Sequence, residues 1–328
     1  MSQTRLLGGS AFTALCLTFF AAAVAPANPP SPSMPAAGHA TLGMSQSGAA
    51  AAPATLAQWA DAAQLFDGLG GFHRKVTTDS NDAQAYFDQG MRLLWAFNHD
   101  EATRSFAKAA QLDPGCAMCF WGVALTVGPN YNMPMMAEPR ARVAWAALQQ
   151  AKLRAPGTTP VEQALIAALA DRYPNALPLD PSNERPVLTA YARTMRDVAG
   201  RFPDDSDVQT LTAEALMNVN AWKLWSLDGA PAAGTEEIVT RLEGVLAKDP
   251  RHPGANHYYI HAVEASSHPE RAMAAAERVH GMMPAAGHLE HMPAHILQRV
   301  GRYADAAEAN RNGANADLAY YAKTRPLD

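Results

Sequence analysis

The stretch DAQAYFDQGMRLLWAFNHDEATRSFAKAAQLDP, residues 82–114, predicts two helices that pack against each other. A small residue stands where each helix would cross its partner, Gly90 in the first and Ala102 in the second, so the two axes can approach closely. Phe106 is placed to fill the space between this pair and the next. Pro114 ends the second helix because it cannot continue the backbone hydrogen bonds. The segment therefore predicts a helical hairpin that stacks on a neighbour.

The same unit recurs at an interval of about 34 residues, which is the length of a tetratricopeptide repeat. Strand-like alternation is scarce along the rest of the chain. Further helical segments are predicted at 140–155, 160–172 and 184–202, and repeat-like pairs at 254–284 and 287–317. We therefore predict an all-α fold, a tetratricopeptide-like α-solenoid of stacked antiparallel helix pairs. Each repeat should pack mainly on its neighbours and leave a concave face lined by the first helices.

The N-terminal part predicts export. Residues 1–27 resemble a signal peptide, because Arg5 precedes the apolar run LLGGSAFTALCLTFFAAAVA and small residues precede a cut before Asn28. Residues 28–55 are rich in Ala, Pro, Gly and Ser, which predicts a disordered linker, and 56–328 form the repeat domain. An uncleaved membrane anchor is the alternative. No later stretch is long and apolar enough to span a bilayer, so we expect a periplasmic or secreted protein without a stable membrane span after signal cleavage.

Composition and motifs exclude several classes of partner. The chain is 48% hydrophobic and 17% charged with a net charge of −5, and no basic run is present, which argues against nucleic acid. The sequence contains no glycine-rich phosphate loop, so no nucleotide cofactor is expected. The motif CAMC, Cys116 to Cys119, is followed by Phe120 rather than His, so it predicts no haem. In an oxidising compartment these cysteines form a disulfide or a redox pair, and metal ligation is a further alternative.

Histidine is concentrated in one region: eight of the eleven histidines lie in 252–295. Two His-x3-His pairs stand 34 residues apart, His257 and His261 in GANHYYIHAVEAS (254–266), and His291 and His295 in GHLEHMPAHILQRVGRY (287–303). Residues four apart lie on one face of a helix, and 34 residues is one repeat. We therefore expect the four imidazoles to converge on one patch of the concave wall.

Imidazole is the commonest metal-ligating side chain, so this patch predicts a transition metal site for copper, zinc or iron. Two such pairs could hold one four-coordinate ion, or two ions with help from Glu264, one turn beyond His261. His288, one turn before His291, is a further candidate ligand. The H-E-x-x-H motif of zinc proteases is absent, so that mechanism is not expected.

Two other readings of the same pattern stay open. Duplication of a repeat would copy a histidine pair without any need for metal, which leaves a structural role. Tyr258, with Gln298 as the counterpart of Glu264 in the next repeat, would instead line a groove for a peptide or a small organic ligand. Pro293 lies between His291 and His295, and it predicts that the helix there begins late or kinks.

Three segments resemble exported bacterial tetratricopeptide-repeat proteins of unassigned activity. They are YFDQGMRLLWAFNHDEATRSFAKAAQLDPGCAMCFWGVALTVGPNYNMPM, ANHYYIHAVEAS and GHLEHMPAHILQRVGRY. The similarity runs from about Asp82 to Asp317, with gaps around 156–205. It implies a helical repeat fold and export, and it brings no settled activity. Similar proteins continue with further repeats and another histidine-containing segment, so a C-terminal completing subunit is one expected partner.

Together these observations predict an exported repeat protein whose histidine-rich groove binds a transition metal. Whether it is a metal-dependent enzyme is left open. The alternative function is a metal-free scaffold whose groove binds a peptide or a partner protein.

Overall fold

The computed structural model describes residues 52–324, and the predicted signal peptide and most of the predicted linker lie outside this range. The regular secondary structure of the described part is helical, and two isolated bridges, Met136 with Leu179 and Trp225 with Pro231, are the only β pairing within it. The helices are α1 Leu56–Asp61, α2 Asn81–Trp95, α3 His99–Leu112, α4 Ala117–Thr126, α5 Glu138–Arg154, α6 Pro160–Arg172, α7 Glu184–Arg201, α8 Ser206–Val219, α9 Thr235–Lys248, α10 Pro253–Val263, α11 Met273–Val279, α12 Gly287–His291, α13 Pro293–Arg299 and α14 Tyr303–Tyr321, with a 3-10 turn at Pro269–Ala272.

Local capping explains where α2 and α3 begin and end. The Ser80 hydroxyl accepts the backbone N–H of Ala83 at the start of α2, and the Asn98 side chain does the same for α3. Between them, the N–H of Phe97 donates to the carbonyl of Leu94 and the N–H of Asn98 donates to that of Leu93. These two hydrogen bonds form a Schellman motif. The motif holds Phe97 at a left-handed φ of 56°, where glycine is usual.

Phe106 is the wedge between successive helical pairs. It is fully buried, and a Cβ placed on Gly90 of α2 would lie 2.6 Å from its ring. A Cβ on Gly122 of α4 would overlap the same ring from the other side. Both neighbouring helices therefore need glycine at the crossing, as predicted for Gly90, because the aromatic ring occupies the space that a methyl group would take.

Adjacent helices pack as pairs along the chain, α2 with α3, α4 with α5, α6 with α7 and α8 with α9. The all-helical prediction is confirmed for residues 52–324, and the packing is consistent with an α-solenoid. The tetratricopeptide type of the repeats stays a prediction. Within the described range no helix has both the length and the apolar character that crossing a lipid bilayer requires.

Segments far apart in the chain also contact one another within the described range. The Tyr320 hydroxyl of α14 donates to Glu101 of α3 at 2.9 Å. Gln64, just after α1, donates through Nε2 to the carbonyl of Lys323 at 3.0 Å. The backbone N–H of Ala285 donates to the carbonyl of Gly68 at 3.0 Å. Contacts between segments distant in the chain thus supplement those between neighbouring helices.

Helix α10 lies in the interior, and every residue from Pro253 to Val263 is buried. His252 caps its start: Nδ1 accepts the N–H of Ala255, which leaves Nε2 as the donor to Asp207 at 3.0 Å. Arg74 forms an ion pair with Asp207 at 2.6 Å and so supports this cap. A helix buried on all faces is normally apolar. The polar side chains inside α10 therefore need specific partners.

We predict opposite effects for two matched glycine substitutions. Gly90→Ala should lower the free energy of unfolding by about 1–3 kcal/mol, because Phe106 is held on both sides and cannot retreat. Gly244→Ala in α9 should raise it by up to about 1 kcal/mol, since nothing described lies within 4 Å of the added methyl group and alanine favours the helix. Urea unfolding measures both values, and a stabilising Gly90→Ala would contradict the wedge.

Candidate metal centre

Five imidazoles from two segments form one cluster, which we call the histidine cluster. Helix α10 supplies His257 and His261, and the α12–α13 segment supplies His288, His291 and His295. Neighbouring ring centroids are 4.7–6.0 Å apart: His257–His261 5.0, His257–His288 4.9, His261–His288 6.0, His261–His295 5.1, His288–His291 5.7 and His291–His295 4.7 Å. Because α10 packs against α13, histidines 31–34 residues apart become neighbours.

The helix that carries the second pair is broken at Pro293, as its missing N–H predicts. Helix α12 ends at His291 and α13 begins at Pro293, with Met292 between them in helical conformation. The break does not separate the pair. Nε2 of His291 lies 2.8 Å from Nε2 of His295.

Four of the five rings are anchored through Nδ1. His257 Nδ1 contacts the backbone carbonyl of Trp95 at 2.5 Å. The two oxygens of Glu264 contact Nδ1 of His261 at 2.8 Å and Nδ1 of His295 at 2.5 Å. A further contact joins Nδ1 of His291 to Asn310 Oδ1 at 2.6 Å. Carbonyl and carboxylate oxygens only accept hydrogen bonds, so in each of these rings Nδ1 carries the proton.

In a neutral imidazole whose proton is on Nδ1, the Nε2 atom carries a lone pair. In these rings the lone pairs point towards the interior of the cluster. Nε2 of His257 lies 3.1 Å from Nε2 of His288. Nε2 of His261 is buried, and no hydrogen-bond partner for it exists among the described residues. Metal-bound histidines have this pattern: one nitrogen binds the ion and the other donates to a carbonyl or carboxylate.

Electrostatics favour neutral imidazoles here. Burial, followed by the neighbouring imidazoles, lowers the pKa of His257 and of His288 well below the usual range. Burial also lowers the pKa of His261 and of His291, against the raising effect of Glu264 and Asn310 respectively. Burial alone would raise the pKa of Glu264, but the hydrogen bonds from His261 and His295 outweigh it and lower that pKa to about 2. These four rings thus provide neutral nitrogen donors beside one carboxylate.

Aromatic rings cover His261, and two of them belong to strained residues. Phe97 and Trp222 are the two non-glycine residues with positive φ in residues 52–324, at 56° and 59°. The ring of Phe97 lies 5.8 Å from that of His261, and those of Trp222 and Tyr131 both lie 5.6 Å from it. A left-handed non-glycine residue costs about 1–2 kcal/mol. Such strain is found mainly at functional sites.

Two cavities reach the cluster from outside. One of about 300 Å³ is bounded by His288, His99 and the loop with Met133. Another of about 210 Å³ is bounded by His261 and Glu264. Both an ion and a small molecule therefore have a route to the imidazoles.

The predicted residues are distributed as follows. Nitrogen atoms of His257, His261 and His288 lie within 4.8 Å of one another, and the same holds for donor atoms of His261, Glu264 and His295. Nε2 of His257 faces His288 of α12, because the Trp95 carbonyl fixes its Nδ1.

The two predicted groove residues do not meet in a groove. Tyr258 is 1% exposed, and its ring packs against Trp95 and Phe97 at 6.0 and 5.5 Å, so it belongs to the core instead. Gln298 is exposed. No peptide groove is therefore lined by this pair.

Cys116 and Cys119 lie elsewhere, buried at the start of α4, and are joined by a disulfide. Cys116 also caps that helix, its sulfur accepting the N–H of Cys119 at 3.1 Å.

Sequence reasoning missed the anchors Trp95 and Asn310 and the cover provided by Phe97.

No protein-family model and no curated protein matches the chain. The described residues thus form a helical fold in which His257, His261 and His288 make a cluster that could hold a metal ion.

We predict that the metal-free protein loses stability on acidification below about pH 6.5. Several of these histidines have a lower pKa in the folded state, so the unfolded chain binds more protons as the pH falls. The free energy of unfolding therefore decreases by up to about 1.4 kcal/mol per pH unit for each such histidine. His288→Asn should reduce this slope, as measured by urea unfolding between pH 7.5 and 5.5. Equal slopes in the wild type and His288→Asn would contradict the burial argument.

Proposed function

We propose that this is an exported helical-repeat protein that binds a transition metal ion through Nε2 of His257, His261 and His288. The observation that carries the proposal is the buried Nε2 of His261, which has no hydrogen-bond partner among the described residues. A buried polar atom normally has such a partner. An ion bound at Nε2 would supply it.

Spacing supports the ligand set. A metal with bonds of 2.0–2.1 Å and tetrahedral angles separates its ligand nitrogens by about 3.3–3.4 Å. Nε2 of His257 and Nε2 of His288 are 3.1 Å apart, so slight movement brings them to that separation. The third nitrogen, on His261, lies within 4.8 Å of the other two.

The anchors support it as well. His257 and His261 come to the site with their Nδ1 protons already committed, to the Trp95 carbonyl and to Glu264. This fixes the tautomer and the ring orientation, and a carboxylate partner increases the basicity of the imidazole. The entropy of ordering the two rings is then lost on folding rather than on metal binding.

The donor set favours copper, zinc or iron, because imidazole nitrogen suits all three. Three histidines leave a coordination position open, as in catalytic rather than structural zinc sites. The cavity that reaches His288 would admit water or a small molecule there. When bound, the metal would supply Lewis-acid or redox chemistry, and the residues described here do not select the reaction.

Export, and the resemblance to exported tetratricopeptide-repeat proteins, belong to the same proposal. The Cys116–Cys119 disulfide supports an oxidising compartment, since disulfides persist in the periplasm and outside the cell. The signal-like pattern of residues 1–27 agrees with it.

Metal content tests the proposal directly. The chain from Asn28 is stripped with a chelator, loaded separately with copper, zinc or ferrous iron, desalted and measured by elemental mass spectrometry. We expect at least one ion per chain for one of these metals. His261→Asn should weaken binding more than 100-fold, beyond the 10–100-fold typical of residues that only support a ligand. His268→Asn, exposed and outside the cluster, is the matched control. Equal binding by both variants would contradict the assignment.

Glu264 provides a second prediction. Its two oxygens accept from two imidazoles, and glutamine would offer one acceptor and one donor, leaving one ring without its anchor. We expect Glu264→Gln to weaken metal affinity by about 10–100-fold with little change in fold. Competition against a chromophoric chelator measures the affinity. The control is Glu270, an exposed glutamate whose side chain contacts the exposed His268. Glu270→Gln should bind metal as the wild type does. An unchanged metal affinity in Glu264→Gln would show that the carboxylate does not support metal binding.

A further inference from the structure

His291 and His295 form a separate unit within the cluster. Their Nε2 atoms are 2.8 Å apart, while each Nδ1 is committed to an acceptor, Asn310 Oδ1 for one ring and Glu264 Oε2 for the other. If both rings are neutral, two lone pairs face each other at hydrogen-bond distance with no proton between them. That arrangement is repulsive unless a cation lies there.

The surroundings of this pair are negatively charged. Glu264 contacts His295 at 2.5 Å, and Asp317 of α14 acts electrostatically on His291. Both carboxylates stabilise positive charge at the pair. His291 and His295 are only partly buried, so an ion could reach them without unfolding the helix pair.

Glu264 connects this pair to the site proposed above. One oxygen accepts from His261 and the other from His295, so a single carboxylate orients rings on both sides. Donor atoms of His261, Glu264 and His295 also lie within 4.8 Å of one another and form a second group, which shares His261 with the group of His257, His261 and His288. A carboxylate shared between adjoining ligand groups is suited to two ions.

We propose that His291 and His295 hold a second transition metal ion, so that the protein has a two-metal centre whose ligand groups are joined through Glu264. This inference rests on the proposed function, because it adds an ion beside the first. Its metal class is the same, a copper, zinc or iron ion that accepts imidazole nitrogen.

Asparagine substitutions isolate the two positions. Asn keeps an N–H donor near the place of Nδ1 and removes Nε2, so the anchoring hydrogen bonds survive while the ligand atom is lost. Three double variants are compared with wild type: His291→Asn/His295→Asn, His257→Asn/His288→Asn, and the control His268→Asn/His280→Asn on exposed histidines. Circular dichroism before and after loading verifies that each variant is folded.

Native mass spectrometry of the copper- or zinc-loaded chain gives the number of ions. We expect two ions in wild type and in the control, and one in each of the other double variants. Electron paramagnetic resonance of the Cu(II)-loaded chain is the second measurement. Coupling between two ions should broaden or suppress the wild-type signal, and His291→Asn/His295→Asn should restore the spectrum of an isolated ion.

The outcomes separate the two proposals. One ion in wild type that remains in His291→Asn/His295→Asn overturns the second position, shows that the pair shares a proton, and leaves the proposed function standing. One ion that is lost from both double variants overturns the second position in favour of a single ion shared by the cluster. No bound ion in wild type overturns both.

Discussion

The hydrogen bond from Nδ1 of His257 to the carbonyl oxygen of Trp95 is the contact on which the centre depends. It joins residues 162 apart in the chain and connects the interior helix α10 to the end of α2. Because the carbonyl can only accept, the bond fixes the tautomer of His257 and turns its Nε2 towards His288. Without the contact between α2 and α10, neither the direction of that lone pair nor its pairing with His288 would be fixed.

Placing five imidazoles together, two of them fully buried, is costly unless the chain gains something from them. A buried imidazole is a polar group removed from water, and it takes the place of an apolar side chain in the interior. The structure limits the cost by satisfying Nδ1 in His257, His261, His291 and His295, and it leaves the remaining nitrogens facing one another. A purely structural role would favour donors opposite acceptors. Lone pairs opposite lone pairs are instead what a bound cation requires.

Much of the helical architecture follows from local sequence rules. Gly90 and Ala102 predict the close crossing of α2 and α3, and Phe106 predicts the packing on the next pair. Pro293 predicts the break between α12 and α13. The interval of 34 residues places the two histidine pairs on neighbouring helices. The contact between α14 and α3 is not predictable in this way, because it depends on the summed curvature of every repeat between them. For the same reason Trp95 could not be identified as an anchor: its contribution is a backbone carbonyl, which no residue type specifies.

Phe97 shows how the turn after α2 and the histidine cluster constrain each other. The Schellman motif requires a left-handed residue there, and glycine would adopt that conformation without strain. Phenylalanine instead places its ring 4.3 Å from that of His257 and 5.2 Å from that of His288. Glycine at position 97 would release that strain, of about 1–2 kcal/mol, but it would also remove a ring that packs against the core and covers the imidazoles. The packing of the ring therefore offsets the backbone strain at position 97, and the same ring shields the imidazoles from water.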